Sequence, residues 1–524
     1  MQQYRTDRSP LVELLDELRS FEGQSLLFAT VFVLVGVGLP LLYADQPLHI
    51  DETIFIVIGQ ALAEGAELYT GVIDHKPPGV FYVASAISAL GFETYLAFRA
   101  VTALVVVVTG LLVFRLGTML YDEPTGMVAS VLFLVATYLP HFDGFFFLTE
   151  PYAVCCTVVA ATLFLTAERV RSHVGVGVTL GIGVLFNQIV FLFGAAILAF
   201  ATLRLWLLTD RSRVEFARTG SHVVAIGVGF LAVVGAAMVS FASTGALAEF
   251  LTYAFVVPLT RYDPPFLVTG HVYMALSLLP VWLVAVGMVV RTLVRLRARR
   301  VDEATLFVAL WAAFIAYPGL TQYGGDHKML FTFPAVALLT AVALRLGWRS
   351  AAVRSRVGSL VARARGRPDV SVSVRTLVTV LLVGGLVVSA VGFNVVYGAH
   401  LVDDNIAEQR AAVQQIDQYV EGPVYAFPFF WQVVYFADDV SLPNTYVGGV
   451  YTDGLARTVV DHLDEERVAY VVVPAGHVTD SGDVRGNRFF RDTDTQVATY
   501  IETHYEPVTE TDEYVVYRRQ GDGA

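Results

Sequence analysis

The sequence has 524 residues, of which 55% are hydrophobic, and its formal net charge is −12. Apolar runs recur along the first 400 residues, which excludes an ordinary soluble domain and indicates a polytopic α-helical protein that resides in a lipid membrane. The negative net charge argues against nucleic acid as a partner.

The predicted elements begin with an amphipathic helix after Ser9-Pro10, within a cytoplasmic N-terminal segment of residues 1–25. A membrane domain of residues 26–397 follows, with about eleven predicted spans. The spans lie near residues 26–44, 94–116, 124–141, 150–167, 174–189, 190–208, 221–242, 271–291, 304–319, 328–346 and 376–397. The apolar stretch 77–91 is short, and we predict a helix that lies at or dips into the outer face.

Arginine-rich loops separate several of these spans, notably 291–300 and 345–375. The positive-inside rule places such loops in the cytoplasm. The protein is therefore predicted to be a multi-pass protein of the cell membrane with its N-terminus inside. Four loops then share the outer side: 45–78, 142–150, 243–270 and 320–327.

Lysine is nearly absent from the sequence, which has 35 Lys and Arg residues in total. The two lysines close identical triplets, Asp74-His75-Lys76 and Asp326-His327-Lys328. The ammonium group of lysine is compact and can bind a phosphate as a point charge. The alternatives are two surface lysines left by compositional drift, or two snorkelling anchors at the membrane interface.

The predicted outer loops also collect acidic residues and histidines. Ionisable groups at a membrane edge are costly unless they face a water-filled cavity or one another, so we predict one outward-facing pocket. Taken singly, each has an ordinary explanation. Asp51-Glu52 is also typical of the first turn of a helix, as is Glu150 before Pro151, and His75 and His327 are also typical of solvated loops.

The order of these residues resembles that of a known family. Asp51-Glu52, His75-Lys76-Pro77-Pro78, Arg99 and Leu148-Thr149-Glu150-Pro151 resemble the motifs of GT-C class glycosyltransferases that use polyprenyl-phosphate sugars. This class includes the protein mannosyltransferases and the lipid-A aminoarabinose transferases. The resemblance covers roughly residues 25–345, and His327-Lys328 resembles the family's His-Tyr motif.

The resemblance implies roles for individual residues. Asp51 is the expected catalytic carboxylate, with Glu52 beside it and Glu150 as the second acid. Lys76 is expected to hold the donor phosphate. His327, Lys328 and Arg99 are further candidates for that role, since Asn187 stands where the family often has a lysine. The candidates for other substrate contacts are His75, Asp143, Asn187, Arg261 and Tyr262, although two prolines after Tyr262-Asp263 explain that segment equally well as a turn.

The implied function is an integral membrane glycosyltransferase. It is expected to move a single sugar from a polyprenyl (dolichyl-type) phosphate to an acceptor glycan, lipid or protein on the outer face. One inverting displacement suffices, with a lysine neutralising the leaving phosphate and a carboxylate taking the acceptor's proton. No cofactor or divalent metal is required, although the paired acids and histidines could bind a metal ion. The alternative is a membrane transporter or a flippase for lipid-linked sugars, although the sequence lacks the internal repeat typical of transporters.

The C-terminal part has a different composition. Residues 401–524 contain 22 Asp and Glu against 8 Arg. Helical and strand-like patterns alternate there, so we predict a small acidic α/β domain of residues 398–524 outside the cytoplasm. Such an acidic, lysine-poor surface is typical of work in very high salt. The domain is expected to cover the pocket, to recognise the acceptor, or to act as a structural lid.

Overall fold

The structure is a computed structural model. It describes residues 23–209, 212–260, 272, 275–321, 325–349, 406–420, 424–427, 431–436, 446–447, 453–465, 467–479, 481–485 and 491–521. The predicted N-terminal helix, the predicted span at 376–397, the boundary at 397, and Arg261 and Tyr262 lie outside these residues.

Helices make up the membrane domain. In chain order they are α1 (Gly23–Gly38), α2 (Ile50–Ala63), α3 (Gly79–Ala89), α4 (Tyr95–Leu120), α5 (Glu123–Thr137), α6 (Thr149–Thr166), α7 (Val170–Phe186), α8 (Val190–Leu203), α9 (Arg213–Ser243), α10 (Leu247–Leu251), α11 (Val257–Thr260), α12 (Leu279–Arg297), α13 (Glu303–Thr321), α14 (Gly325–Lys328) and α15 (Phe333–Arg349). A short strand, β1 (Val72–Ile73), lies between α2 and α3.

Seven helices in the described part are long and apolar enough to cross a membrane. They include α4, α6, α9, α12 and α13, together with 190–208 and 329–347. Shorter apolar helices at 26–41, 123–137 and 170–186 coincide with three further predicted spans. A polytopic helical membrane protein is confirmed, while the count of eleven spans stays a prediction.

Close backbone contact between α7 and α9 depends on glycine. A Cβ on Gly229 would overlap the Val174 carbonyl, and one on Gly177 would overlap the Ile226 carbonyl. Small residues at such crossings let membrane helices approach closely enough for van der Waals packing and weak backbone interactions.

A second close contact positions the two short helices α2 and α3. Gly59 of α2 packs against Ala84 of α3, where a Cβ would overlap the alanine side chain and its backbone. Asp51 lies in the first turn of α2, and Lys76 lies just before α3. This packing therefore holds the segments that carry the predicted catalytic acid and the first lysine next to each other.

The C-terminal part is a small α/β domain, as predicted. Its elements are α16 (Ile406–Asp417), β2 (Val424–Ala426), α17 (Trp431–Phe436), β3 (Tyr446–Val447), α18 (Asp453–Glu465), β4 (Tyr470–Pro474), α19 (Arg491–His504), β5 (Tyr505–Glu510) and β6 (Tyr514–Arg519). Four strands form a sheet in the order β2-β4-β6-β5, in which β2 runs parallel to β4 and the other pairs are antiparallel.

Successive residues of β4 serve opposite faces of this sheet. Val471 and Val473 pack with Val497 and Ile501 in one buried cluster, and Val472 packs with α16 in the other. This alternation is the period of two expected of a strand that is covered on both faces.

Strand β3 pairs with the membrane domain instead. It runs parallel to β1, with Tyr446 opposite Val72 and Val447 opposite Ile73. The C-terminal domain is thus joined by a backbone ladder to the segment that leads directly into Asp74-His75-Lys76.

The α7–α9 contact yields a matched pair of variants. Gly229→Ala must push the Val174 backbone away, so we expect a loss of about 1–3 kcal/mol in the free energy of unfolding. Gly227→Ala, two residues earlier in the same helix, meets nothing within 4 Å and should change stability by less than about 0.5 kcal/mol. Thermal unfolding in detergent measures both, and equal midpoints would contradict the packing described.

Candidate active site

Four segments meet on one face of the membrane helices, which we call the loop face: 48–52, 74–76, 142–150 and 327–328. The Nζ atom of Lys76 lies 3.8 Å from Oδ2 of Asp51. Nε2 of His49 lies 4.0 Å from Oδ2 of Asp143, and Nε2 of His327 lies 4.0 Å from Oε1 of Glu150. The rings of His49 and His327 meet edge to face, with centroids 6.3 Å apart. Groups spread over about half of the chain therefore share one site.

Asp51 lies at the start of α2, where unpaired backbone N–H groups favour negative charge. His49 caps this helix, because its Nδ1 accepts the Asp51 N–H at 3.1 Å. Burial raises the pKa of the Asp51 carboxyl, but Lys76 and the neighbouring histidines outweigh burial and lower that pKa to about 2. Asp51 is therefore ionised at every physiological pH.

Two buried residues hold the backbone of Lys76. The Asp74 side chain accepts the Lys76 N–H at 2.8 Å, and the Tyr69 hydroxyl donates to the Lys76 carbonyl at 2.8 Å. Tyr69 has a φ of 72°, which is unusual for a non-glycine residue, and its ring packs on Phe241 and Phe250. These two hydrogen bonds thus fix the backbone from which the Lys76 side chain extends towards Asp51.

The charges of both lysines act on the His75 imidazole. Burial lowers the pKa of this imidazole, Lys76 and Lys328 lower it further, Asp51 opposes them, and the result is about 3. The ring is therefore neutral at physiological pH. Because both lysines act on the same imidazole, the two Asp-His-Lys triplets converge at this site.

Glu150 is almost fully buried in the first turn of α6 and is held by neutral donors. Thr149 donates to its Oε2 at 3.0 Å, and Asn187 donates to its Oε1 at 3.1 Å. Asn187 follows the end of α7, and its own Oδ1 accepts the Ile189 N–H. Glu150 therefore presents a fixed carboxylate to His327.

Beneath the loop face, Arg99 of α4 makes a buried ion pair with Glu52. Its Nε and Nη2 donate to the two carboxylate oxygens at 3.0 and 2.8 Å. The remaining N–H groups donate to the carbonyls of Ala44, Gln46 and Pro47 at 3.3 Å. Glu52 is fully buried and also accepts the Phe147 N–H at 3.1 Å.

This geometry bears on two expectations. A guanidinium has five N–H donors, and Arg99 uses all five within the protein, so none is left for the phosphate that we predicted it to hold. Glu52 has no exposed surface from which to reach an acceptor, which argues against its predicted catalytic role. Together they fix the loop before α2 and the approach to α6.

The other described candidates lie on the loop face or, in the case of Asn187, bind a residue of it: Asp51, His75, Lys76, Asp143, Glu150, Asn187, His327 and Lys328. Their roles in binding and catalysis stay predictions. Sequence reasoning missed His49 and the support that Asp74 gives to Lys76. The position of His49 just before the acidic start of α2 could have indicated a helix cap, but histidine is not among the preferred N-cap residues.

The described side chains include no group of three or more His, Cys, Asp and Glu placed to hold a metal ion. The expectation that no metal is required stays a prediction.

Comparisons with known proteins agree with this architecture. Residues 75–238 match the family model of dolichyl-phosphate-mannose-protein mannosyltransferase. The fold is similar to that of ArnT from Cupriavidus metallidurans bound to undecaprenyl phosphate, with a TM-score of 0.55 and 14% identity, over 95% of this chain and 98% of that one. The chain therefore has the fold of the GT-C membrane glycosyltransferases.

Two further GT-C structures have similar folds. The Archaeoglobus fulgidus oligosaccharyltransferase, tethered with an acceptor peptide, gives a TM-score of 0.53 at 14% identity, over 94% of this chain and 74% of that one. AglB from Archaeoglobus fulgidus, in complex with an inhibitory peptide and a dolichol-phosphate, gives 0.54 at 14% identity, over 96% and 75%. No curated protein sequence matches the chain.

The charge of Lys76 is the first of the influences that lower the pKa of Asp51. In Lys76→Met burial still raises that pKa, so we expect it to increase by roughly one pH unit or more. Lys76→Arg keeps a positive charge and should leave the pKa low. The pKa of Asp51 in each variant is measured by infrared titration of the carboxylate band, after subtraction of the spectrum of the same variant that also carries Asp51→Asn. Identical titrations of the two variants would contradict the proposed coupling.

Proposed function

We propose that this GT-C protein transfers a single sugar from a polyprenyl phosphate to an acceptor glycan, lipid or protein, at a loop face that opens outside the cytoplasm. The observation that carries the proposal is the approach of the Lys76 ammonium to the Asp51 carboxylate at 3.8 Å. A cation for a leaving phosphate and a carboxylate for an incoming hydroxyl are the two groups that such a transfer requires.

The family match and two of the similar structures support a polyprenyl-phosphate donor. The family model is that of a dolichyl-phosphate-mannose enzyme, ArnT is bound to undecaprenyl phosphate, and AglB is in complex with a dolichol-phosphate. Lys76 falls within the matched residues. The lipid chain of such a donor lies among the helices while its phosphate reaches the loop face.

In the proposed reaction the acceptor hydroxyl oxygen attacks the anomeric carbon of the sugar. The bond from that carbon to the phosphate oxygen breaks, the configuration inverts, and polyprenyl phosphate leaves with the electron pair. Lys76 and Lys328 neutralise the charge on the phosphate as it develops. Asp51 takes the proton of the acceptor.

A carboxylate with a pKa of about 2 is a weak base. Binding of the donor is expected to raise the pKa of Asp51. When the donor phosphate engages Lys76, the largest influence that lowers the pKa of Asp51 is shared with a second anion. Burial, which acts in the opposite direction, is then opposed less strongly, and the pKa rises towards its ordinary value. Asp51 is therefore a stronger base when a donor is in place.

Glu150 and His327 complete the proposed site. Thr149 and Asn187 fix the Glu150 carboxylate, and that carboxylate attracts the His327 imidazole 4.0 Å away. We assign this pair to the orientation of the sugar and the phosphate. His75, neutral between the two lysines, and Asp143 are assigned to contacts with substrate hydroxyls.

Arginine distribution supports the proposed orientation. The ends of helices that lie away from Glu150 and Asn187 carry Arg169, Arg204, Arg213 and Arg297. The positive-inside rule places those ends in the cytoplasm. The loop face and the acidic C-terminal domain then lie outside, where nucleotide sugars are absent and a membrane-anchored donor is needed.

The test uses a strain that lacks this chain, complemented with wild-type protein or a variant. Asp51→Asn should lower transfer by at least about 100-fold, because the amide cannot accept the acceptor's proton. Mass spectrometry should find an accumulated sugar-phosphate lipid and a surface glycan shortened by one residue. Glu64→Gln, an exposed acid at the other end of α2, is the control and should complement fully. Full complementation by Asp51→Asn would contradict the proposal.

A further inference from the structure

We propose that Gln409 of the C-terminal domain is a positioning residue for catalysis, because it fixes the loop that carries Asp51. This inference rests on the proposed function for the catalytic role of Asp51. The contact itself does not depend on that function.

The loop before α2 is held from two parts of the molecule. Every backbone carbonyl from residue 44 to residue 48 accepts a hydrogen bond from a distant segment. Arg99 of the membrane domain donates to the carbonyls of Ala44, Gln46 and Pro47. The other two carbonyls accept hydrogen bonds from α16. The Ile406 N–H donates to the Asp45 carbonyl at 3.1 Å, and the Gln409 amide donates to the Leu48 carbonyl at 3.5 Å.

Gln409 also accepts from the same residue. The Leu48 N–H donates to Oε1 of Gln409 at 2.8 Å, so one side chain holds both polar backbone groups of Leu48. A primary amide suits this task because it carries an acceptor and donors side by side. The contact joins residues 361 positions apart in the sequence.

Leu48 is the last residue before the helix cap. His49 follows it and accepts the Asp51 N–H, and the His49 carbonyl accepts the Thr53 N–H of the first helical turn. A rotation of the peptide between Leu48 and His49 therefore moves both the cap and the Asp51 carboxylate. An error of about 1 Å in a reacting group is enough to cost a large factor in rate.

Two further contacts of the C-terminal domain reach the supports of the same site. The Tyr435 hydroxyl accepts the Tyr95 N–H at 2.9 Å and donates to the Glu93 carbonyl at 3.2 Å, at the start of the helix that carries Arg99. Strand β3 pairs with β1 directly before Asp74. A domain that served only as a cover has no need to bind these backbone groups, whereas a domain that orders both loops does.

The first experiment measures order in the loop without any substrate. Hydrogen–deuterium exchange of the purified full-length protein follows peptides that cover residues 44–53. In Gln409→Ala we expect roughly tenfold faster exchange there, and no change in the middle of α4 or in the C-terminal sheet. Gln409→Glu keeps the acceptor for the Leu48 N–H but loses the donor for the Leu48 carbonyl, so it should restore only part of the protection. Gln415→Ala, an exposed glutamine on the same helix, is the matched control.

The second experiment separates positioning from binding. In the complemented strain Gln409→Ala should slow completion of the surface glycan roughly tenfold, and Gln409→Glu should rescue it in part. The affinity of the purified variant for dolichyl phosphate should remain that of the wild type, since Lys76 is untouched.

The inference is overturned if Gln409→Ala exchanges like Gln415→Ala, or if its loop exchanges faster while the transfer rate is unchanged. If wild-type protein fails to complement the strain, the proposed function fails, while the exchange data still decide whether Gln409 orders the loop.

Discussion

The buried guanidinium of Arg99 is the interaction on which the site depends. With five hydrogen bonds it neutralises Glu52 and ties down three carbonyls of the loop before α2. A buried pair of this kind has a large desolvation cost, and removal of one partner typically destabilises a protein by about 3–5 kcal/mol. Glu52 adjoins Asp51 in the same helical turn. The pair therefore specifies where the neighbouring carboxylate points, whatever its net contribution to stability.

A second constraint concerns Lys76 and Asp51, the two residues that we propose to take part in the reaction. Lys76 and Asp51 are held on separate backbone supports, one by Asp74 and Tyr69 and the other by the α2 cap. Their side chains remain partly exposed, at 15% and 26%. The pair is therefore close enough for each charge to influence the other, and both side chains can be reached from outside the protein. In the proposed reaction, donor binding and the activation of Asp51 are the same electrostatic event.

Local pattern made much of this architecture predictable. Hydropathy located the described spans, alternating helical and strand-like patterns indicated the small α/β domain, and the Asp-His-Lys triplets marked two segments that do converge. The sequence could not assign Arg99 to Glu52, 47 positions away, because a lone intramembrane arginine is equally compatible with a phosphate. It gave no sign of Gln409 either, since a contact across 361 residues leaves no trace in composition or periodicity. Only the tertiary structure shows which charged side chains are already paired within the protein.

The most direct test of the account is a structure of the full-length protein in a lipid nanodisc with dolichyl phosphate bound. We expect the phosphate within hydrogen-bond reach of the Lys76 ammonium, on the side of Lys328, with the distance from Lys76 to Asp51 longer than 3.8 Å. A phosphate held elsewhere, with Lys76 still paired to Asp51, would contradict the central claim.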